Sequence, residues 1–148
     1  MTGDRKIQWL VQTDFSDVET NFSPDGRWLA YASNETGRLE VYVQPFPVNG
    51  TRWQVSTAGG RQPLWRRDGK ELFYVTDDRK LNVVDVRTSP SFQVSTPKFL
   101  FEIRANTAST RNSYVPAADG KRFLVDMILE NTSSPITVVL NWTAALKN

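Results

Sequence analysis

The sequence predicts an all-β protein of three four-stranded β-propeller blades, half of a six-bladed ring. Three observations lead there: an internal repeat keyed to Asp-Gly pairs, strands too uniformly apolar for sheets with one wet face, and no helical period of useful length.

The repeat comes first. Asn21-Phe22-Ser23-Pro24-Asp25-Gly26-Arg27-Trp28, Leu64-Trp65-Arg66-Arg67-Asp68-Gly69-Lys70-Glu71 and Val115-Pro116-Ala117-Ala118-Asp119-Gly120-Lys121-Arg122 superpose on their glycines, which stand 43 and then 51 residues apart. The first interval fits a four-stranded blade of roughly 40–45 residues. The second requires extra chain, expected as a surface insertion across 88–98, where Pro90 and Pro97 lie. Asp25, Asp68 and Asp119 are expected to cap hairpin turns in which Gly26, Gly69 and Gly120 supply positive φ.

A strand is expected after each turn, at 28–33, 71–76 and 122–127, and a further one at 39–43, 81–86 and 136–140. Runs such as Leu29-Ala30-Tyr31-Ala32 and Leu72-Phe73-Tyr74-Val75 are apolar at every residue, as burial on both faces requires. Residues 52–57 read as an outer strand of the first unit, and 7–13 resemble them. The expected organisation is therefore an outer strand at 7–13, blade one at 17–57, blade two at 60–104, and blade three at 110–142 lacking its outer strand. In a closed ring the N-terminal strand would complete that last blade. Three blades cannot close a ring, and open apolar flanks invite covering. The expected cover is a second copy, giving a homodimer of six blades, or further blades of a longer chain.

Composition narrows the function. Of 148 residues, 39% are apolar and 23% charged, with a net charge of +2 mixed along the chain, so no basic face for nucleic acid is expected despite a pI near 9.0. The apolar runs are too short to span a bilayer, and 1–6 lack the apolar stretch of a signal peptide. There is no cysteine and no histidine, which removes disulfides, Ser-His-Asp triads and the common zinc ligand sets. No cofactor, metal or catalytic residue is expected.

The Ser-Pro-Asp-Gly-Arg turn at 23–27 resembles the units of TolB-like propellers, relatives of WD-repeat proteins. Gly3-Asp4-Arg5-Lys6, Glu40-Val41-Tyr42-Val43-Gln44-Pro45-Phe46-Pro47, the segment 65–74 and Ser134-Pro135-Ile136-Thr137-Val138-Val139-Leu140-Asn141-Trp142-Thr143-Ala144 are similar to the C-terminal propeller segment of bacterial, eukaryotic-like serine/threonine kinases. That resemblance implies a sensing or scaffolding module, bacterial and in an extracytoplasmic setting, though the sequence itself fixes no compartment. No Gly-rich phosphate loop or His-Arg-Asp loop is present, so kinase chemistry is not implied.

The inner strands should line an axial channel. Asp17, Glu19, Arg61, Gln62, Arg111 and Asn112 are the candidates there for binding a small polar molecule or a peptide end, with Ser113 beside them. A carboxylate glycosidase or lyase using Asp17 and Glu19 is the alternative from another class, and needs two carboxyls at a defined separation. A lectin-like propeller would use exposed tryptophans among Trp9, Trp28, Trp53, Trp65 and Trp142, which otherwise pack between blades.

Overall fold

The computed structural model describes residues 15–104, 112–126 and the backbone of 137–139. These residues form antiparallel sheets and contain no helix. In the first sheet β1 (Asp17–Phe22), β2 (Trp28–Ser33), β3 (Glu40–Pro45) and β4 (Trp53–Gln54) pair in chain order. The second holds β5 (Arg61–Trp65), β6 (Glu71–Val75), β7 (Lys80–Arg87), β8 (Gln93–Val94) and β9 (Lys98–Glu102). In the third, β10 (Tyr114–Pro116), β11 (Phe123–Val125) and β12 (Thr137–Val139) pair in order.

One turn builds all three inner hairpins. Gly26, Gly69 and Gly120 adopt φ of 69°, 72° and 68°. Their N–H groups donate to the carbonyls of Ser23, Arg66 and Ala117 at 2.8–2.9 Å. Oδ1 of Asp25, Asp68 and Asp119 accepts from the N–H two residues on, in Arg27, Lys70 and Lys121. The aspartates thus serve backbone donors that a tight turn would leave unmet. The third turn also leans on the second sheet: a Cβ on Gly120 would lie 2.8 Å from Arg66 Cδ, so a larger residue would have to displace that side chain as well as adopt a strained positive φ.

The sheets stack through two apolar seams, which explains strands without alternation. In β2, Leu29, Ala30, Tyr31 and Ala32 are all buried. The first seam joins Ala30, Val41, Val43 and Val55 of the first sheet to Trp65, Leu72, Tyr74, Val84 and Val86 of the second. The second seam joins Phe73, Val75, Leu81, Leu100 and Ile103 to Tyr114, Phe123 and Val125 of the third.

Three expectations change in detail. The second sheet has five strands instead of four, because the long β7 pairs with β9 at Lys80–Val83 and with β8 at Val86–Arg87. The extra chain falls where the insertion was expected, at 88–98, and is mostly exposed, but it carries β8 and is anchored by Phe92, which is buried with its ring centroid 4.8 Å from those of both Trp28 and Trp53. The outer strand expected at 52–57 shrinks to two residues, because the N–H groups of Val55 and Ser56 both converge on the carbonyl of Val41 and break the ladder. The strand expected at 7–13 lies outside the described residues.

Candidate functional site

Asp17, Glu19, Arg61 and Gln62 lie on the inner strands β1 and β5, and each of these strands carries a bulge. β1 shifts register between Val18 and Asn21, and β5 between Arg61 and Leu64. Inside these bulges Glu19 and Gln62 adopt φ of 57° and 55°, a left-handed backbone that is costly without glycine. Both stand seven residues before their turn glycine, and so does Ser113.

These three positions form a chain of hydrogen bonds from sheet to sheet. The N–H of Gln62 donates to Glu19 Oε2 at 2.6 Å. The N–H of Ser113 donates to Gln62 Oε1 at 2.9 Å, while Gln62 Nε2 donates to Ser113 Oγ at 3.2 Å. The Tyr114 hydroxyl donates to the Gln62 carbonyl at 2.8 Å. Gln62 is fully buried, so each of these groups would be costly to leave unmet. Half-burial of Glu19 raises its carboxyl above the usual range, opposed by the Gln62 N–H and by the Arg61 guanidinium.

The other candidates fall around this chain. Asp17 opens β1 and is half-buried. Arg61 opens β5, with its guanidinium 3.8 Å from Asp77 Oδ1 in the turn after β6. The Asp77 carboxylate lies against Gly59, where a Cβ would come within 2.6 Å of it. Asn112 is exposed and, with Ser113, Tyr114, Val115 and Leu124, lines a groove of about 330 Å³ on the third sheet. Arg111 lies outside the described residues. The structure therefore brings Glu19, Arg61 and Gln62 together, while Asn112 belongs to the groove.

Two further features escaped sequence reasoning. Glu40 is buried, its carboxylate held by Arg38 Nε at 2.7 Å, the Gly59 N–H at 3.0 Å and the Ser56 hydroxyl. A Glu opening an apolar strand signals nothing by itself; only its partners define it. On the turn side, a cleft of about 870 Å³ between the first two sheets is lined by Asp25, Trp28, Asp68, Lys70, Asp85 and Arg87, among others. Its carboxylates are engaged: Asp68 with Arg66 at 2.7 Å, which holds Asp68 down at about 2, and Asp85 with Lys98 at 2.8 Å. Among the described residues no group of three or more His, Cys, Asp or Glu could hold a metal ion, and no helix is long and apolar enough to cross a membrane.

No protein-family model and no curated protein matches the chain. Among solved structures it is similar to an oligogalacturonate lyase from Vibrio parahaemolyticus, at 17% identity and a TM-score of 0.58 over 78% of this chain and 31% of that one. It is also similar to a candidate 6-phosphogluconolactonase from Bacteroides uniformis, at 17% identity and a TM-score of 0.50 over 84% of this chain and 36% of that one. TolB from Acinetobacter baumannii aligns at 16% identity and a TM-score of 0.44, over 95% and 45%. The chain thus spans about a third of the length of the first two. Stacked antiparallel sheets and the likeness to the lyase structure define an all-β fold of the propeller kind.

Proposed function

We propose that the chain is a non-catalytic propeller module that completes a six-bladed ring by packing its two end faces onto a second copy, and that the ring offers its channel or rim to a protein or small ligand. One observation carries the assembly. On the far face of the third sheet Val115 and Leu124 are 53% and 43% exposed. By distance from the turn glycine they are the counterparts of Leu64 and Phe73, which pack into the second seam. At the other end Phe22, 43% exposed, is the counterpart of Trp65, which is buried in the first seam. Residues at the ends are thus the ones that inner sheets bury against a neighbour, and apolar surface of this kind favours a partner.

The non-catalytic part of the proposal is supported by the use made of the polar side chains. The Glu19 carboxylate accepts a main-chain N–H of the neighbouring sheet, and Gln62 is closed off from solvent. The same reading accommodates a scaffolding propeller of the kind found beside bacterial kinase domains. A lyase or glycosidase acting through Asp17 and Glu19 is the rival, favoured by the fold likeness to a lyase. Incubation with acidic and neutral polysaccharides separates the two: the proposal expects no cleavage, whereas turnover abolished by Glu19→Gln would establish the rival.

Sedimentation across micromolar concentrations tests the assembly. The expected species has twice the 16.8 kDa chain mass, and Leu124→Asp should reduce it to a folded monomer. A parent chain that is a folded monomer throughout would end the proposal.

A further inference from the structure

We infer that the turn-side cleft between the first two sheets binds a small organic anion, a carboxylate carried on an apolar body. The inference deepens the ligand half of the proposed function and rests on that reading, but the cleft lies within one chain and needs no second copy.

The cleft is open because one repeat position changes its residue. Three residues before the turn glycines stand Ser23, Arg66 and Ala117. Between the second and third sheets that position closes the gap. Arg66 leans over Gly120, with Cδ 2.8 Å from where a Cβ on that glycine would lie, and its guanidinium is held by Asp68 and Glu71 at 2.7 Å. Between the first and second sheets the position belongs to Ser23, whose hydroxyl stays within its own turn, on Asp25. The space left there is about 870 Å³, in the range of small-molecule sites.

The wall of this space offers donors, while its acceptors are taken. Four carboxylates border it. Arg66 holds those of Asp68 and Glu71, Lys98 holds that of Asp85, and Asp25 accepts from the Ser23 hydroxyl and the Arg27 N–H. A cationic ligand would therefore have to break existing pairs. Lys70 and Arg87 are on the same wall, exposed, and make no ion pair among the described residues. Trp28 adds a third donor: its buried indole N–H has no acceptor among the described residues. A buried donor left unmet is costly, and an acceptor bound in the cleft relieves it. Pro24, Trp65 and Val86 supply apolar surface beside these groups. A carboxylate answers the cations and the indole N–H, and an apolar body answers the rest.

Two-dimensional NMR of the full chain, following the tryptophan indole N–H signals, tests the site with hippurate, phenylacetate, succinate and citrate as probes. Trp28→Phe assigns the signal that matters. At least one probe should bind at millimolar concentration or below and move the Trp28 signal most. Its neutral amide should bind roughly tenfold more weakly, since the charge-assisted contacts are lost. Lys70→Gln and Arg87→Gln change exposed side chains only and should each weaken binding by a similar factor of about ten. Lys121→Gln, at the counterpart of Lys70 in the third turn, should leave it unchanged. A Trp28 signal unmoved by every probe at millimolar concentration, or equal binding of acid and amide, overturns the site while leaving the assembly, which sedimentation reads, in place. A folded monomer that binds as described upholds the site and overturns only the assembly.

Discussion

The two seams between sheets solve one packing problem with different side chains. The first is thin at its centre, where Ala30 stands at the position that Phe73 occupies in the second sheet, with Val41, Val43, Val84 and Val86 around it. Bulk is moved outward: Trp28 and Trp53 pack edge to face at 5.7 Å, and Phe92 reaches across from the second sheet to lie against both. The second seam is filled at its centre, by Phe123 with Phe73 at 5.2 Å, Phe101 at 5.4 Å and Tyr114 at 6.5 Å. What the seams share is a polar pin at the inner strand, where a side chain seven residues before the turn glycine accepts an N–H of the next sheet. Apolar filling therefore differs between the two seams, while this hydrogen-bonded position recurs in both.

The largest effect should come from emptying the filled seam. Phe123→Ala leaves a cavity bounded by three aromatic rings and should cost about 3–5 kcal/mol in urea unfolding. Phe92→Ala at the rim of the first seam should cost about 3 kcal/mol, because the neighbouring strand segment can partly collapse. A Phe92→Ala loss under about 1 kcal/mol would show that Phe92 does not anchor the 88–98 insertion to the first seam.

Gln62→Ala cuts the pin while sparing the apolar filling. It strands the Ser113 N–H and should cost about 1–3 kcal/mol. Glu19→Gln keeps an acceptor for the Gln62 N–H and should change stability by less than about 1 kcal/mol at neutral pH. Its signature is in the pH profile. The Glu19 carboxyl is raised in the folded chain, so folding favours its protonated form, and stability is lost as pH climbs from the ordinary carboxylate range through the raised value. Glu19→Gln should remove that decline. Asp68 has the opposite sign: held at about 2 by Arg66, it contributes stability above 3.8 that disappears as pH falls towards 2. Asp68→Asn should flatten the acid limb only slightly, since the group is largely exposed. Unfolding series at fixed pH values check both.

The same contrast shows what a sequence can reveal. The Asp-Gly turns and the strand at 28–33 were readable because turn chemistry and two-sided apolar runs are local signals. Phe92 was not, since one aromatic between Ser91 and Gln93, near two prolines, reads as loop until its neighbours across the seam are known. Gln62 read as a channel residue because a polar side chain on an inner strand suggests exposure. Only the bulge, with positive φ at a residue other than glycine, turns it into the neighbouring sheet, and no residue type announces such a bulge. The shared offset of Glu19, Gln62 and Ser113 from the turn glycines was present in the sequence, but their chemical types differ enough to hide the equivalence.

Directed disulfide formation tests most directly whether the end faces meet head to tail. The chain has no cysteine, so Phe22→Cys and Val115→Cys variants can be mixed and oxidised without interference. The account expects a covalent dimer in the mixture and little in either variant alone. Equal cross-linking of each variant with itself, or none in the mixture, would contradict it.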